Sequence, residues 1–96
     1  MAEVYRIRRK SDGRWSRGGV DVVAGGNTQD RAWTDKIERA KIWRKKNHLN
    51  SHLSQIQKYC DRYSGYQHPT DWEVVIFVVK EVESQALELK NLRFEG

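Results

Sequence analysis

Apolar and polar residues follow a two-residue period in two parts of the chain. Residues Val4–Arg9 alternate Tyr5 and Ile7 with arginines, which is typical of a half-buried strand. Residues Trp72–Val82 read WEVVIFVVKEV and are apolar on both faces. Such a run predicts a central strand that is covered on each side.

A helical period separates these two strands. One apolar stripe recurs at spacings of three or four residues: Leu49, Leu53, Ile56, Cys60 and Tyr63. It predicts an amphipathic helix over Asn47–Tyr63, with Asn47 as its N-cap and Gly65 as the residue that ends it. We therefore expect an α+β fold, in which this principal helix packs on one face of a small antiparallel sheet of about three to five strands.

Two segments leave alternatives open. Val20–Val23 fits a short third strand or the continuation of the second after a bulge, and Ala24–Gln29 is typical of a loop. Apolar residues of Asp30–Lys46 recur at helical spacing, but Ile42-Trp43 also suits a short strand. This segment is therefore either a helix or a strand–turn–strand unit.

The second face of the strand Trp72–Val82 needs a cover. The candidates are Ser84–Arg93, beginning with Ser84 as a cap, the segment Asp30–Lys46, and a second copy of the chain, so a homodimer is predicted. The 96 residues are expected to form one domain, made of a basic half (1–46), the helix and long strand (47–83) and a C-terminal segment (84–96).

Charge is divided unevenly along the chain. Residues 1–46 hold 13 Lys/Arg and 6 Asp/Glu, a net charge of +7, whereas residues 47–96 hold 5 and 7, a net charge of −2. A basic face of this kind meets nucleic acid, an acidic protein, or only water. The lone Cys60 excludes an internal disulfide. No apolar run reaches the ~20 residues that a membrane span requires, and no signal peptide is recognisable. These three observations predict a cytoplasmic location.

The turn signal Ser11-Asp12-Gly13 decides which residues share a sheet face. A two-residue loop, Asp12-Gly13, places a cationic group around an indole on one face: Arg6, Arg8, Lys10, Trp15 and Arg17. The cations would meet phosphates and the indole would stack on a base. A three-residue loop instead places Trp15 opposite Arg9 and buries it beside Tyr5 and Ile7.

A second basic group directly precedes the predicted helix. It consists of Lys41, Arg44, Lys45 and Lys46. Positive charge at a helix N-terminus opposes the macrodipole. This placement favours a binding role, although most runs of lysine and arginine are simply solvated.

Catalytic and metal-binding patterns are weak. His48 and His52 are four residues apart and could share a zinc ion, but Cys60 lies ~18 Å from His48 along a helix. Asp71 and Glu73 lie on one strand face without an accompanying histidine. We therefore expect no metal, no cofactor and no enzymatic activity.

Three stretches carry a resemblance: VYRIRRKSDGRWSRGG, AKIWRKKNHLNSHL and HPTDWEVVIFVV. Together they resemble a loose class of small, uncharacterised bacteriophage-encoded proteins, over about two thirds of the chain. The resemblance implies a phage origin, activity in the host cytoplasm and a short strand at Trp43 that leads into the helix. The loop Val20–Gln29 departs from that pattern.

Two functions follow as expectations. The first is a small, non-enzymatic phage-type protein that contacts nucleic acid or a nucleoprotein through its basic half. The alternative is a protein–protein interaction module that binds and modulates a host protein, for host takeover or against host defence. In that case the strand Trp72–Val82 and exposed aromatic residues such as Trp33 or Tyr66 would matter more than the cations.

Overall fold

In the part of the chain that the structure describes, five strands and one α-helix define the fold. The computed structural model describes residues 3–23, 31–63, 68–78 and 84–88. The strands are β1 (Glu3–Arg9), β2 (Trp15–Ser16), β3 (Trp33–Thr34), β4 (Trp72–Val78) and β5 (Ser84–Glu88). They form one sheet in the order β3-β2-β1-β4-β5, in which every pairing is antiparallel. The helix, α1, covers Lys46–Arg62, and the predicted α+β fold is confirmed.

Side-chain alternation decides which residues meet the helix. In the β1–β4 pair, Tyr5 lies opposite Ile76 and Ile7 opposite Val74. These positions pack against the buried stripe of α1, in one cluster that includes Leu49, Leu53, Ile56, Cys60, Trp33, Trp43 and Trp72. The period of two in the strands and of 3.6 in the helix thus meet along one core.

Ile56→Val tests this core with a small change. Ile56 is fully buried, so removing one methylene group should lower the free energy of unfolding by about 1 kcal/mol. Urea unfolding followed by circular dichroism measures the loss. An unchanged midpoint would show that α1 does not lie on the sheet.

The hairpin between β1 and β2 differs from both sequence predictions. Arg8 lies opposite Trp15, so the loop has neither two nor three residues but the four from Lys10 to Gly13. The Asp12 carboxylate explains the longer loop, because it accepts hydrogen bonds from the Arg9 side chain and from the backbone N–H of Arg14. Gly13 takes the left-handed conformation that the turn requires, at φ +72°.

The stretch before α1 is built from short elements. Val20–Val23 is a 3-10 helix, not the predicted strand, and Ile37–Arg39 is a second one. Trp43 forms an isolated antiparallel bridge with Tyr5. Strand–turn–strand is therefore closer to the structure than a helix over 30–46, and the predicted loop at 24–29 lies outside the described residues.

The N-cap of α1 is two residues earlier than predicted, and its last helical residue is Arg62 instead of Tyr63. Lys45, not Asn47, is the N-cap, and it has no side-chain capping bond. The Asn47 side chain instead accepts a hydrogen bond from the backbone N–H of His48 at 3.1 Å, inside the first turn. The predicted stop at Gly65 lies outside the described residues.

The C-terminal segment does not cover a sheet face over its described residues. Ser84–Glu88 forms β5, which pairs with the edge of β4 between Glu73 and Phe77. The predicted cap at Ser84 is therefore wrong, because this residue begins a strand. The last predicted residues of the long strand, 79–82, lie outside the described residues.

Candidate nucleic-acid interface

The predicted contact residues lie on two surfaces. The face of the sheet opposite α1 carries Arg6, Arg8 and Trp15 among the described side chains. Four more lie in the chain leading into α1 and at its first residue: Lys41, Arg44, Lys45 and Lys46, all of which are exposed. Sequence spacing alone does not separate these surfaces, but their contacts do.

On the sheet, Arg8 lies over Trp15. Its guanidinium carbon is 5.2 Å from the centre of the indole, and its Nε donates a hydrogen bond to Glu73 at 2.6 Å. Trp15 itself is only 9% exposed. The indole thus shares a face with the arginines, as the two-residue loop predicted, and is buried, as the three-residue loop predicted. A base could stack on it only after Arg8 moves.

Arg6 covers the neighbouring aromatic ring. Its guanidinium carbon is 4.6 Å from the centre of Phe77, which lies 6.0 Å from Trp15. The Arg6 Nε is buried without a hydrogen-bond partner, and burial lowers the pKa of its guanidinium. We name Arg6, Arg8, Trp15 and Phe77 the sheet patch.

The sheet patch covers part of the sheet face opposite α1, for which the sequence did not decide between several candidate covers. Trp15, Ala40, Val75 and Phe77 form a second, smaller core on this face. Arg6 and Arg8 extend over the aromatic rings of this smaller core, and the quadrupoles of the rings attract the two guanidinium groups. A dimer is therefore not needed to cover these rings, and it stays a prediction.

The second surface is an open groove beside the start of α1. Its volume is about 410 Å³, and its lining consists of Lys41, Ile42, Trp43, Arg44, Lys45 and His48. We name these six residues the basic groove. Three of them are cations, and none carries a carboxylate. Within the described residues, Lys41, Arg44 and Lys45 form no ion pair, whereas Arg8 on the sheet patch is paired with Glu73.

Backbone hydrogen bonds fix the basic groove to the sheet. Tyr5 and Trp43 exchange two of them, at 2.8 and 2.9 Å, on the edge of β1 that faces away from β4. The N–H of Lys41 donates to Ser16 at 2.9 Å. The segment 41–43 is thereby held by both β1 and β2, so the groove is positioned before any ligand binds.

The remaining predicted contacts are at the margins of these surfaces. Arg17 directly follows β2, is exposed, and lies next to Ser16, which holds Lys41. Lys10 begins the hairpin loop at the opposite end of β1, where its backbone N–H donates to Asp71. Arg17 is therefore a neighbour of the basic groove, and Lys10 is not.

His52 lies beneath the groove. It is 9% exposed, and its ring centre is 4.9 Å from that of Trp43. Burial, with a smaller effect of Lys41, lowers the pKa of His52 to about 4. Its Nε2 is buried without a hydrogen-bond partner. His52 is therefore a neutral core residue at neutral pH.

Metal binding has no geometric support in the described part of the chain. There, no group of three or more His, Cys, Asp or Glu side chains is close enough to hold an ion. His48 is exposed in the groove, and burial raises the pKa of the Cys60 thiol in the core. Of the two carboxylates noted on one strand face, Asp71 and Glu73, the second is the ion-pair partner of Arg8.

Three residues of the groove were missing from the predicted contacts. His48 was considered only as a metal ligand, and Ile42 and Trp43 only for their secondary structure, yet all three line the groove. Trp33, predicted as an exposed docking residue, is 3% exposed in the main core. The signal for the groove was the strand-like Ile42-Trp43 pair set among cations.

No protein-family model, no curated protein and no solved structure matches this chain. Among the described helices, none has the length and apolar character that crossing a membrane requires.

Proposed function

We propose that this protein is a non-enzymatic nucleic-acid-binding protein whose basic groove holds the phosphate backbone. The observation that carries the proposal is the lining of the groove, which has three cations and a histidine but no carboxylate. Phosphate oxygens are recognised by lysine and arginine side chains, and binding them releases counterions.

The groove is a better candidate than the sheet patch. Arg8 is neutralised by Glu73, and Arg6 is packed on Phe77. A phosphate would have to displace both contacts there, whereas Arg44 and Lys45 are exposed and already held at the start of α1. Displacing the contacts of Arg6 and Arg8 would cost free energy, so the basic groove is the more favourable phosphate site.

Salt dependence tests the proposal through a double substitution. We expect Arg44→Ala with Lys45→Ala to weaken binding to any nucleic-acid sequence, and to reduce the slope of log K against log salt by about 2 units for duplex DNA. Fluorescence anisotropy with labelled random-sequence oligonucleotides at several salt concentrations measures both quantities.

A matched control removes the same charge elsewhere. Arg14 and Lys36 are exposed cations just before β2 and shortly after β3. Replacing both with alanine should leave affinity and slope close to the wild type. Equal losses in the two double variants would reject the groove as the site. If the wild type binds no nucleic acid at low salt, the proposal fails and the basic surface is better explained as a docking site for a host protein.

A further inference from the structure

The outer side of α1 carries a polar stripe that begins in the basic groove. Its members are His48, Ser51, Gln55, Lys58 and Arg62, and all five are exposed. Their spacings of three, four, three and four residues place them along one side of the helix. We name these five residues the helix stripe. Because His48 also lines the groove, the two surfaces are continuous.

The composition of this helix is unusual for a solvent-facing surface. Exposed helix positions are normally filled by strong helix formers such as glutamate, lysine and alanine. After Lys46, the exposed positions of the first turns of α1 are instead Asn47, His48, Ser51 and Ser54, which are weaker helix formers. Helix propensity is therefore lower than usual at several exposed positions, which indicates that these side chains have a function of their own.

The chemistry of the helix stripe matches DNA better than protein. Hydroxyl, amide and imidazole groups donate and accept hydrogen bonds without carrying a fixed negative charge. The only carboxylate of α1, Asp61, lies off the stripe and contacts His68 at 2.8 Å. Neutral hydrogen-bonding groups between the cations of the groove and those at Lys58 and Arg62 complement base edges flanked by phosphates.

We propose that the helix stripe enters the major groove of duplex DNA, where Ser51 and Gln55 contact base edges while Arg44 and Lys45 hold the adjoining phosphates. This inference rests on the proposed function. The 17 residues of α1 span ~25 Å at 1.5 Å per residue, and the ~12 Å width of the major groove admits one helix. Serine and glutamine are among the side chains that read base edges there, glutamine most often at adenine.

Duplex DNA fits the surface better than single strands or RNA. Single-strand binding relies on several exposed aromatic rings on which successive bases stack, but the four tryptophans are all buried. Tyr63 is exposed, but it follows the last residue of the helix stripe, and the stripe itself contains no Trp, Tyr or Phe. The major groove of A-form RNA is too deep and narrow for side chains to read. We therefore expect the helix stripe to bind B-form duplex DNA.

The test combines selection of binding sites with one double variant and one matched control. The wild type is incubated with a randomised DNA duplex library, and a short enriched motif is expected. Ser51→Ala with Gln55→Ala should bind the selected duplex about tenfold more weakly, with affinity for random duplex unchanged. Alanine favours a helix at both positions, so a loss of binding does not reflect unfolding.

Gln57 provides the control. It is exposed on the same helix, but two residues from Gln55 it points away from the stripe. Gln57→Ala should retain the motif and the wild-type affinity. If the wild type binds with the expected salt dependence but enriches no motif, or prefers single strands or duplex RNA, the stripe inference is overturned while the groove proposal stands. Absence of any binding overturns both.

Discussion

Trp15→Ala is expected to lower the free energy of unfolding by about 3–5 kcal/mol. The indole is 9% exposed and packs with Ala40, Val75 and Phe77 beneath the Arg8 guanidinium. Removing it leaves a cavity and takes away the ring that Arg8 covers. Urea unfolding followed by far-ultraviolet circular dichroism gives the free-energy difference.

A companion variant separates packing from ligand stacking. Trp15→Phe keeps an aromatic ring under Arg8 and should lose only part of that stability, with nucleic-acid affinity retained. A stable Trp15→Ala variant that loses single-strand affinity by ~1–3 kcal/mol would show instead that the indole stacks on bases.

Acidification is expected to destabilise the fold through His52. The pKa of this side chain is about 4 in the folded protein, against about 6.5 in an unfolded chain. The unfolded state therefore takes up the proton first, so stability is full above pH ~6.5, falls as the pH decreases, and has lost about 3 kcal/mol once the pH is below ~4. About 2 kcal/mol of this is expected to be lost by pH ~5.

His52→Phe isolates that contribution from the carboxylates, which also titrate in acid. The phenyl ring keeps the contact with Trp43 and has no proton to take up. Urea unfolding between pH ~7 and ~5 should show a steep decline for the wild type and a shallow one for the variant. Parallel curves would contradict the assignment, and His52→Met, which also does not titrate, checks that the result does not depend on the shape of the ring.

Periodicity predicted the parts of the fold in which one face of an element is buried. The alternation of Tyr5 and Ile7 and the stripe from Leu49 to Cys60 both meet the core. Such patterns can be recognised in a sequence because buried positions recur with the period of the backbone, which is two residues in a strand and 3.6 in a helix. The ends of α1 were less accurate, since the cap depends on local hydrogen bonds such as that of Asn47.

In the β1–β2 hairpin, the two-residue loop was wrong, but the sheet face that it predicted for Trp15 was correct. The predicted two-residue loop and the observed four-residue loop differ by an even number, so Trp15 keeps its side of the sheet. Its burial was not predictable from that alternation. It results from Phe77 and Ala40, which are distant in sequence.

The segment before α1 could not be predicted from local signals. Trp43 is extended because it exchanges backbone hydrogen bonds with Tyr5, and Lys41 is held by Ser16. These bonds join residues more than 20 positions apart, so tertiary contacts override the helical spacing of the apolar residues. The basic groove exists only because of them.

Charge alone also could not rank the two basic groups. Arg8 is neutralised by Glu73, 65 residues away, whereas Arg44 and Lys45 lie in a groove without carboxylates. The sequence predicted all of these cations as contacts. Only the fold distinguishes those that cover the sheet from those that face solvent.

The most direct test of the central claim is an amide NMR titration of the ¹⁵N-labelled protein with a short DNA duplex at low salt. Bound phosphates at the basic groove should shift the amide signals of residues 41–48, with smaller shifts at Ser51 and Gln55 and little change at Arg6, Arg8 and Trp15. Shifts centred on Arg6, Arg8 and Trp15, or no shifts at all, would contradict the account.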